Sequence, residues 1–525
     1  MNFKFLSAAS AIALGCLSTP ALAQHQHMPG MEMPAPKKPA AKEPATKPAA
    51  NKPAAKKPVA TKPAPQKPQA EHQHQAPSTD ILTEQTPRPV ESVPMDHLEM
   101  GQVTPSPAPD ATTQAPMDHS TMRHGMAAEG EHADHETMTG ALGPYPMTRE
   151  SSGTAWQPDM TEHMGWMGRS GDWTLMTHGV LNLVYDHQSG RRGDDKAFVS
   201  GMLMGMAQRP IGDGTLQLKA MVSPDPLMGR SGYPLLLASG ETANGTDRLI
   251  DRQHPHDFFM ELSASVSQSI GGKGSAFIYA GLPGEPAFGP PAFMHREAIL
   301  DSPEAPISHH WLDSTHITFG VVTGGLVLDR VKLEVSRFNA REPDQHRWNI
   351  ETGPLDSTSV RLSWNPAREL SLQASWGHFE DPEQLEPGVD QKRWSASALY
   401  AREIVPGWKL SGTLAWGRKT IDHHGESLKD DAYVAEASVK HSNWTVFGRG
   451  EITENRELLD LEEHGAAYRV GKVSVGAVRD FRIAKHFTLG AGGLLAVNFV
   501  PDGLAPLYGG RNPIGAMGFL RLKLD

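Results

Sequence analysis

The stretch DWTLMTHGVLNLVYD, residues 172–186, alternates with a period of two. Its odd positions are Trp173, Leu175, Thr177, Gly179, Leu181, Leu183 and Tyr185, and its even ones are Thr174, Met176, His178, Val180, Asn182, Val184 and Asp186. Successive side chains of an extended strand point to opposite faces, so this pattern predicts a strand with one apolar and one mixed face. The apolar face carries an aromatic ring near each end. A lipid-facing strand needs that arrangement, with rings at the headgroups and aliphatic groups between them. Trp408, Leu410, Gly412, Leu414 and Trp416 repeat the design against Lys409, Ser411, Thr413 and Ala415. So do Leu370, Leu372, Ala374 and Trp376 against Ser371, Gln373 and Ser375, and Tyr433, Ala435, Ala437 and Val439 against Glu436, Ser438 and Lys440. Soluble sandwiches also alternate, but their inner faces rarely carry Trp at both ends.

The expected fold is therefore all-β, a transmembrane antiparallel β-barrel of about 16 strands, with 14–18 as the range. Strands are read near 172–186, 195–208, 213–223, 256–269, 273–281, 314–323, 326–338 and 356–366. The others fall near 368–378, 391–404, 406–419, 430–440, 442–453, 465–480, 484–499 and 512–524. IGDG, GGKG, TGG, NPAR and VPG read as tight turns, alternating with long loops at 224–255, 282–313, 339–355 and 379–390. Short turns at one rim and long loops at the other mark outer-membrane barrels. An even strand count puts both barrel termini on the periplasmic side. The terminal GFLRLKLD alternates but ends in Asp525 rather than an aromatic residue.

Composition divides the chain near residue 168. Residues 1–23 have the order of a secretory signal: Lys4, an apolar run, then Ala21-Leu22-Ala23. Gly15-Cys16 fits a lipoprotein site less well than this later cleavage site. Cys16 is the one cysteine, so the exported chain would have neither a disulfide nor a thiolate site. No later stretch approaches the roughly 18 apolar residues of a spanning helix. The net charge of -11 argues against nucleic acid.

Residues 24–168 read as a disordered periplasmic tail. Within it, PAPKKPAAKEPATKPAANKPAAKKPVATKPAPQKPQA, residues 34–70, is a Lys/Pro spacer. In the polyproline II conformation it reaches roughly 100 Å. Clusters of another kind flank it: His25, His27, Met28, Met31 and Met33, then His72 and His74. MDHLEM supplies Met95, His97 and Met100, and MDHSTM supplies Met117, His119 and Met122, followed by His124 and Met126. His132, His135, Met138, His163, Met164 and Met167 close the segment.

Where almost no Leu, Ile, Val or Phe exists, methionine has no core to fill, and its thioether is the remaining reason for its presence. Thioethers favour Cu(I) and imidazole suits Cu(II), Zn and Ni, so a mixed run suits copper in either oxidation state. Low-complexity drift is the plain alternative. The Met-Asp-His phrases resemble those of bacterial envelope copper-resistance proteins, the copper-resistance B family among them. That resemblance is confined to the tail and implies copper ions, outer-membrane lipid and periplasmic copper-handling proteins as partners.

The long loops of the body are rich in histidine. DRQHPHD holds His254 and His256 about Pro255, which extends the chain so that both imidazoles can share a side, with Asp257 close by. Metal contact and a hydrogen-bonded loop are both open for this pair. His295, His309, His310, His316 and His346 lie in other loops, and His423 and His424 read as solvated. Met202, Met204 and Met206 share one strand face, which either meets lipid or, with Met176 and His178, makes a thioether ladder in the lumen. HPHD, GLPGEPAFGPPAFMHR, SHHWLDSTHITFG and FNAREPD resemble an uncharacterised family of proteobacterial outer-membrane barrels, over about 223–365.

The function expected from these features is a non-enzymatic outer-membrane barrel that binds copper through its tail and contributes to resistance or efflux. The alternative is a general pore, with Arg361, Arg393, Lys409, Glu436 and Arg449 setting selectivity. An enzyme using His254, His256 and Asp257 as base and orienter finds no accompanying nucleophile elbow or metalloprotease motif.

Overall fold

The computed structural model describes residues 138–162, 165–423, 425–459 and 465–524. The strands are β1 (Trp166–Ser170), β2 (Trp173–Gln188), β3 (Asp195–Ile211), β4 (Gly214–Val222), β5 (Tyr233–Thr242) and β6 (Arg248–Gln253). They continue as β7 (Phe259–Gly271), β8 (Gly274–Gly281), β9 (Val321–Leu328), β10 (Val331–Phe338), β11 (Ser357–Ala367), β12 (Leu370–Phe379) and β13 (Gln391–Val405). The last are β14 (Trp408–His423), β15 (Glu426–His441), β16 (Trp444–Asn455), β17 (Tyr468–Ala484), β18 (Phe487–Phe499) and β19 (Ile514–Leu524).

Each strand from β2 to β19, with β5 and β6 set aside, pairs antiparallel with its neighbours in sequence, and β19 returns to β2. The result is a closed barrel of 16 strands. Closure leaves no unpaired edge, which a sheet facing hydrocarbon cannot tolerate. β1 folds back on the start of β2, with Ser170 opposite Trp173, beyond the point where Leu524 of β19 meets Gly179.

The hairpin links at one rim are all of two residues: 212–213, 272–273, 329–330, 368–369, 406–407, 442–443 and 485–486. At the other rim lie 189–194, 223–258, 282–320, 339–356, 380–390, 424–425, 456–467 and 500–513. We call these the turn end and the loop end. The first hairpin shift from expectation is at β9–β10, where TGG is no turn. β9 runs through Gly324 and Gly325, and the chain reverses at Asp329 and Arg330, with Asp329 at φ 56. Gly325 is needed for packing, because a Cβ there would lie 2.3 Å from the Phe277 ring. Residues 314–320 are accordingly loop rather than strand. The long loop 223–258 also contains a two-stranded sheet of its own, β5–β6, that the alternation did not predict.

Outside, Leu181, Leu183, Leu203, Leu218, Ile278, Leu414, Val475 and Leu495 are exposed. Exposed rings flank them: Trp364, Trp408, Trp444, Phe481 and Phe487 toward the turn end, and Tyr185, Trp394 and Phe499 toward the loop end. This is the aliphatic band between aromatic girdles of a membrane-spanning barrel. Inside, the wall alternates to Ser, Thr, Asn, Lys, Arg and Glu, as Asn182, Thr413, Glu436 and Arg449 illustrate by their burial.

Among the described residues, three inserted segments occupy the lumen. Residues 138–162, expected within a disordered tail, instead pack inside the barrel. Leu142, Tyr145 and Trp156 join Phe277 and Val327 in one buried cluster, and aromatic side chains of this size gain much by leaving water. Arg149 bonds both oxygens of Asp159 at 2.7 and 2.8 Å and lies 5.0 and 4.8 Å from the Tyr145 and Trp156 rings. The β5–β6 hairpin buries Leu235, Leu236 and Leu237 against Phe198 and Leu458. The loop 282–320 crosses to the far wall, where Arg296 grips Glu436 through two bonds of 2.7 Å and Ser308 donates to Glu451 at 2.7 Å.

Candidate functional site

Along the inner wall, Met176 lies opposite Met206, His178 opposite Met204 and Val180 opposite Met202 on β2 and β3. Met204 is in turn opposite Met221 of β4. Met202, Met204, Met221 and Met260 pack with Ile317 and Phe319 of the crossing loop, and Met206 and Met294 adjoin them. The methionine stripe therefore faces the lumen. Its alternation with exposed Leu203 and Gly205 follows from the strand period. A cavity of about 130 Å³ at the turn end is walled by His178, Met202, Met204, Met206, His295 and Lys523 among others. The His178 and His295 rings stand 6.3 Å apart across it.

Toward the loop end the lining changes from thioether to imidazole. Ring centres follow one another from His310 to His254 at 5.7 Å, His254 to His309 at 6.0 Å, His309 to His316 at 5.1 Å and His316 to His256 at 5.1 Å. Phe293 lies against the last three, at 5.7, 6.4 and 6.1 Å. Met294, next in sequence, packs against both the methionine cluster and the larger apolar core.

Each imidazole is held from behind. Nδ1 of His256 meets Asp225 Oδ2 at 2.8 Å, and Nδ1 of His309 meets Asp313 Oδ1 at 2.8 Å. Nδ1 of His316 donates to the Asp313 carbonyl at 2.7 Å, and Nδ1 of His310 meets Glu342 at 3.1 Å. A carbonyl or carboxylate only accepts, so Nδ1 carries the proton in each, and in the neutral rings Nε2 presents a lone pair. The Nε2 atoms of His256, His316 and His295 are buried without a hydrogen-bond partner.

Electrostatics sort the set into neutral and charged members. Burial, with Arg347 beside it, holds His254 well below the usual imidazole range. Burial together with His256 and His309 does the same for His316, and burial outweighs Asp313 in lowering His309. Burial also opposes a charge on His310, yet Glu342 carries it up to about 9. Burial works against the Asp313 carboxylate, but Arg296 and His309 hold it well below the usual range.

His254 and His256, expected to share a side, diverge: His254 Nε2 meets Glu241 at 3.0 Å while His256 turns to Asp225 and His316. Asp257 orients neither, since it bonds Arg347 at 3.1 Å. Among the described residues the other histidines stay apart from the file, His346 being exposed beside Arg230. Sequence reading did not find the orienting groups: Asp225 lies 31 residues from His256, and Asp313, though only four and three residues from His309 and His316, sits in a loop with no periodic pattern to mark it. The predicted ligands His25, His27, Met28, Met31, Met33, Met95, His97, Met100, Met117, His119, Met122, His124 and Met126 fall outside the described residues, as do His163, Met164 and His424.

Among the described residues, one group of three has its ligand atoms within 4.8 Å of one another: His378, Glu380 and Asp390, half-buried at the loop rim. No three of the luminal imidazoles reach that spacing.

No family model matches the chain, and neither does any curated protein. Solved structures that align with it include the outer-membrane-expressed OmpT of Vibrio cholerae, at 9% identity over 68% of this chain and 100% of that one, TM-score 0.40. An anion-selective porin from Comamonas acidovorans aligns at 12% identity over 67% and 100%, TM-score 0.39. OmpF of Salmonella typhi, solved with daunomycin, aligns at 11% over 68% and 100%, TM-score 0.43. Scores of this size do not themselves establish the architecture, which rests on the closed pairing ladder.

Proposed function

We propose that this chain is an outer-membrane barrel that takes copper as its cargo. The turn end would face the periplasm, and residues 25–126 would collect the ion there. One observation carries the proposal: Met176, Met202, Met204, Met206 and Met221 turn inward together beside His178, on a wall that elsewhere mixes hydroxyl and charged side chains with Val, Leu and Phe. Thioethers in the lumen gain nothing from lipid, and Cu(I) is the ion they favour. The plain alternative is that these methionines only fill an irregular gap under Ile317 and Phe319, a role that suits their flexibility.

A competition titration with a Cu(I)-selective chelator tests this reading. Met202→Leu, Met204→Leu and Met206→Leu combined should lose Cu(I) equivalents and copper tolerance in cells. Retention of both would leave the methionines as filler and end the copper reading.

A general solute channel is the second reading, favoured by the luminal charges Arg361, Arg393, Lys409, Glu436 and Arg449. Most of these are committed to inserted segments: Arg361 reaches the Phe288 and Gly289 carbonyls, Lys409 pairs with Glu297 at 3.2 Å and Glu436 with Arg296 at 2.7 Å. Such pairs fasten loops more readily than they select ions. Planar-bilayer conductance that ignores copper would favour the channel.

A further inference from the structure

We infer that the crossing loop and the loop before β7 together build a binding site for a divalent transition metal, centred on Nε2 of His256 and His316 with His309 beside them. The inference rests on the copper reading for the identity of the cargo, while the site itself stands on three observations of its own.

First, the spacing fits. With metal–nitrogen bonds of about 2.0–2.1 Å, two imidazoles on one tetrahedral ion have ring centres roughly 5 Å apart. His256–His316 and His309–His316 are both at 5.1 Å.

Second, the donor atoms are prepared. Asp225 and the Asp313 carbonyl fix the proton on Nδ1 of His256 and His316, leaving both Nε2 atoms buried with no partner. An unpartnered buried acceptor is costly, so such atoms call for an explanation. Metal-binding histidines ordinarily donate their second nitrogen to a carboxylate or carbonyl, as these do.

Third, the surroundings suit a retained ion. Phe293 lies against all three rings, and the Asp225 carboxylate lies behind His256 to offset part of the ion's charge. A luminal site of this kind would exchange slowly. Affinity at a given nitrogen site rises along the first row from Mn(II) to Cu(II) and falls again at Zn(II), so Cu(II) should bind more tightly than Zn(II).

The test uses the full chain folded in detergent, loaded with Cu(II) and washed with a chelator. Metal retained per chain is measured, and nitrogen hyperfine structure is recorded by electron paramagnetic resonance. Wild type and His346→Ala should keep one equivalent more than His256→Ala or His316→Ala, each variant first shown folded by its heat-modifiable gel migration. The same retention in all four would overturn the site. Should either alanine variant fail to fold, the wild-type spectrum decides, since a retained ion without nitrogen ligation also overturns it. The two ideas separate cleanly. If the histidine variants lose the ion while the methionine variants keep copper tolerance, the site stands and the copper cargo falls. If the methionine variants lose tolerance while the histidine variants retain every equivalent, the site falls alone.

Discussion

Met204 and His178 stand directly opposite each other across the β2–β3 ladder, and both wall the luminal cavity. A thioether and an imidazole in register make a mixed pair of soft and borderline ligands. Met204→Leu keeps the volume, and such swaps cost less than about 1.5 kcal/mol. The folded barrel should therefore survive while Cu(I) affinity falls at least tenfold, about 1.4 kcal/mol. The outward Leu203→Met should leave affinity unchanged. Chelator competition on both variants checks the pair.

Asp225 serves two partners at once, which makes a clean substitution possible. Its Oδ1 accepts from the Gly201 amide at 3.1 Å and its Oδ2 receives His256 Nδ1 at 2.8 Å. Asp225→Asn keeps the first bond but puts an amide NH₂ where an acceptor stood. His256 would then lose its partner or move its proton to Nε2. Loss of such an orienting group commonly costs 10–100-fold in metal affinity. Cu(II) titration should show that loss without a change in gel migration.

Strand periodicity carried most of the architecture, because a wall with lipid on one side and charge on the other must alternate residue by residue. Leu181, Leu183 and Tyr185 reveal their outward direction in the sequence itself. The hairpin at Asp329–Arg330 was less legible, since Gly324 and Gly325 mimic a turn while serving to admit the Phe277 ring. The inserted segments were legible only in part. Residues 138–162 look like tail because their few apolar groups, Leu142, Tyr145 and Trp156, find a core in the barrel wall rather than in one another. The imidazole file shows the same limit. His309 and His316 were visible as histidines, but their meeting with His256 depends on a loop crossing the lumen, a long-range contact with no local pattern.

Arg296 is fully buried between Glu436 of β15 and Asp313 of the crossing loop. Removing one member of such a set strands the others, at about 3–5 kcal/mol. Arg296→Met should lower the thermal midpoint and reduce retained Cu(II), because Asp313 also positions His309 and His316. Adding Glu436→Gln should recover part of the stability by removing one stranded charge, yet leave metal retention low. A calorimetric scan of the single and double variants, paired with metal analysis, tests both halves.

Trp156 holds the first inserted segment in place. Its ring packs on Tyr145 at 5.0 Å and lies 4.8 Å from Arg149 and 4.9 Å from Lys332 of β10. Truncating a buried Trp costs about 3–5 kcal/mol. The wall ladders do not depend on this ring, so the loss should fall on the segment's docking rather than on the barrel. If residues 138–162 close the turn end, Trp156→Ala should raise single-channel conductance in planar bilayers at least severalfold over wild type, with the barrel still heat-modifiable. Conductance equal to wild type would mean that the segment braces the wall without obstructing passage.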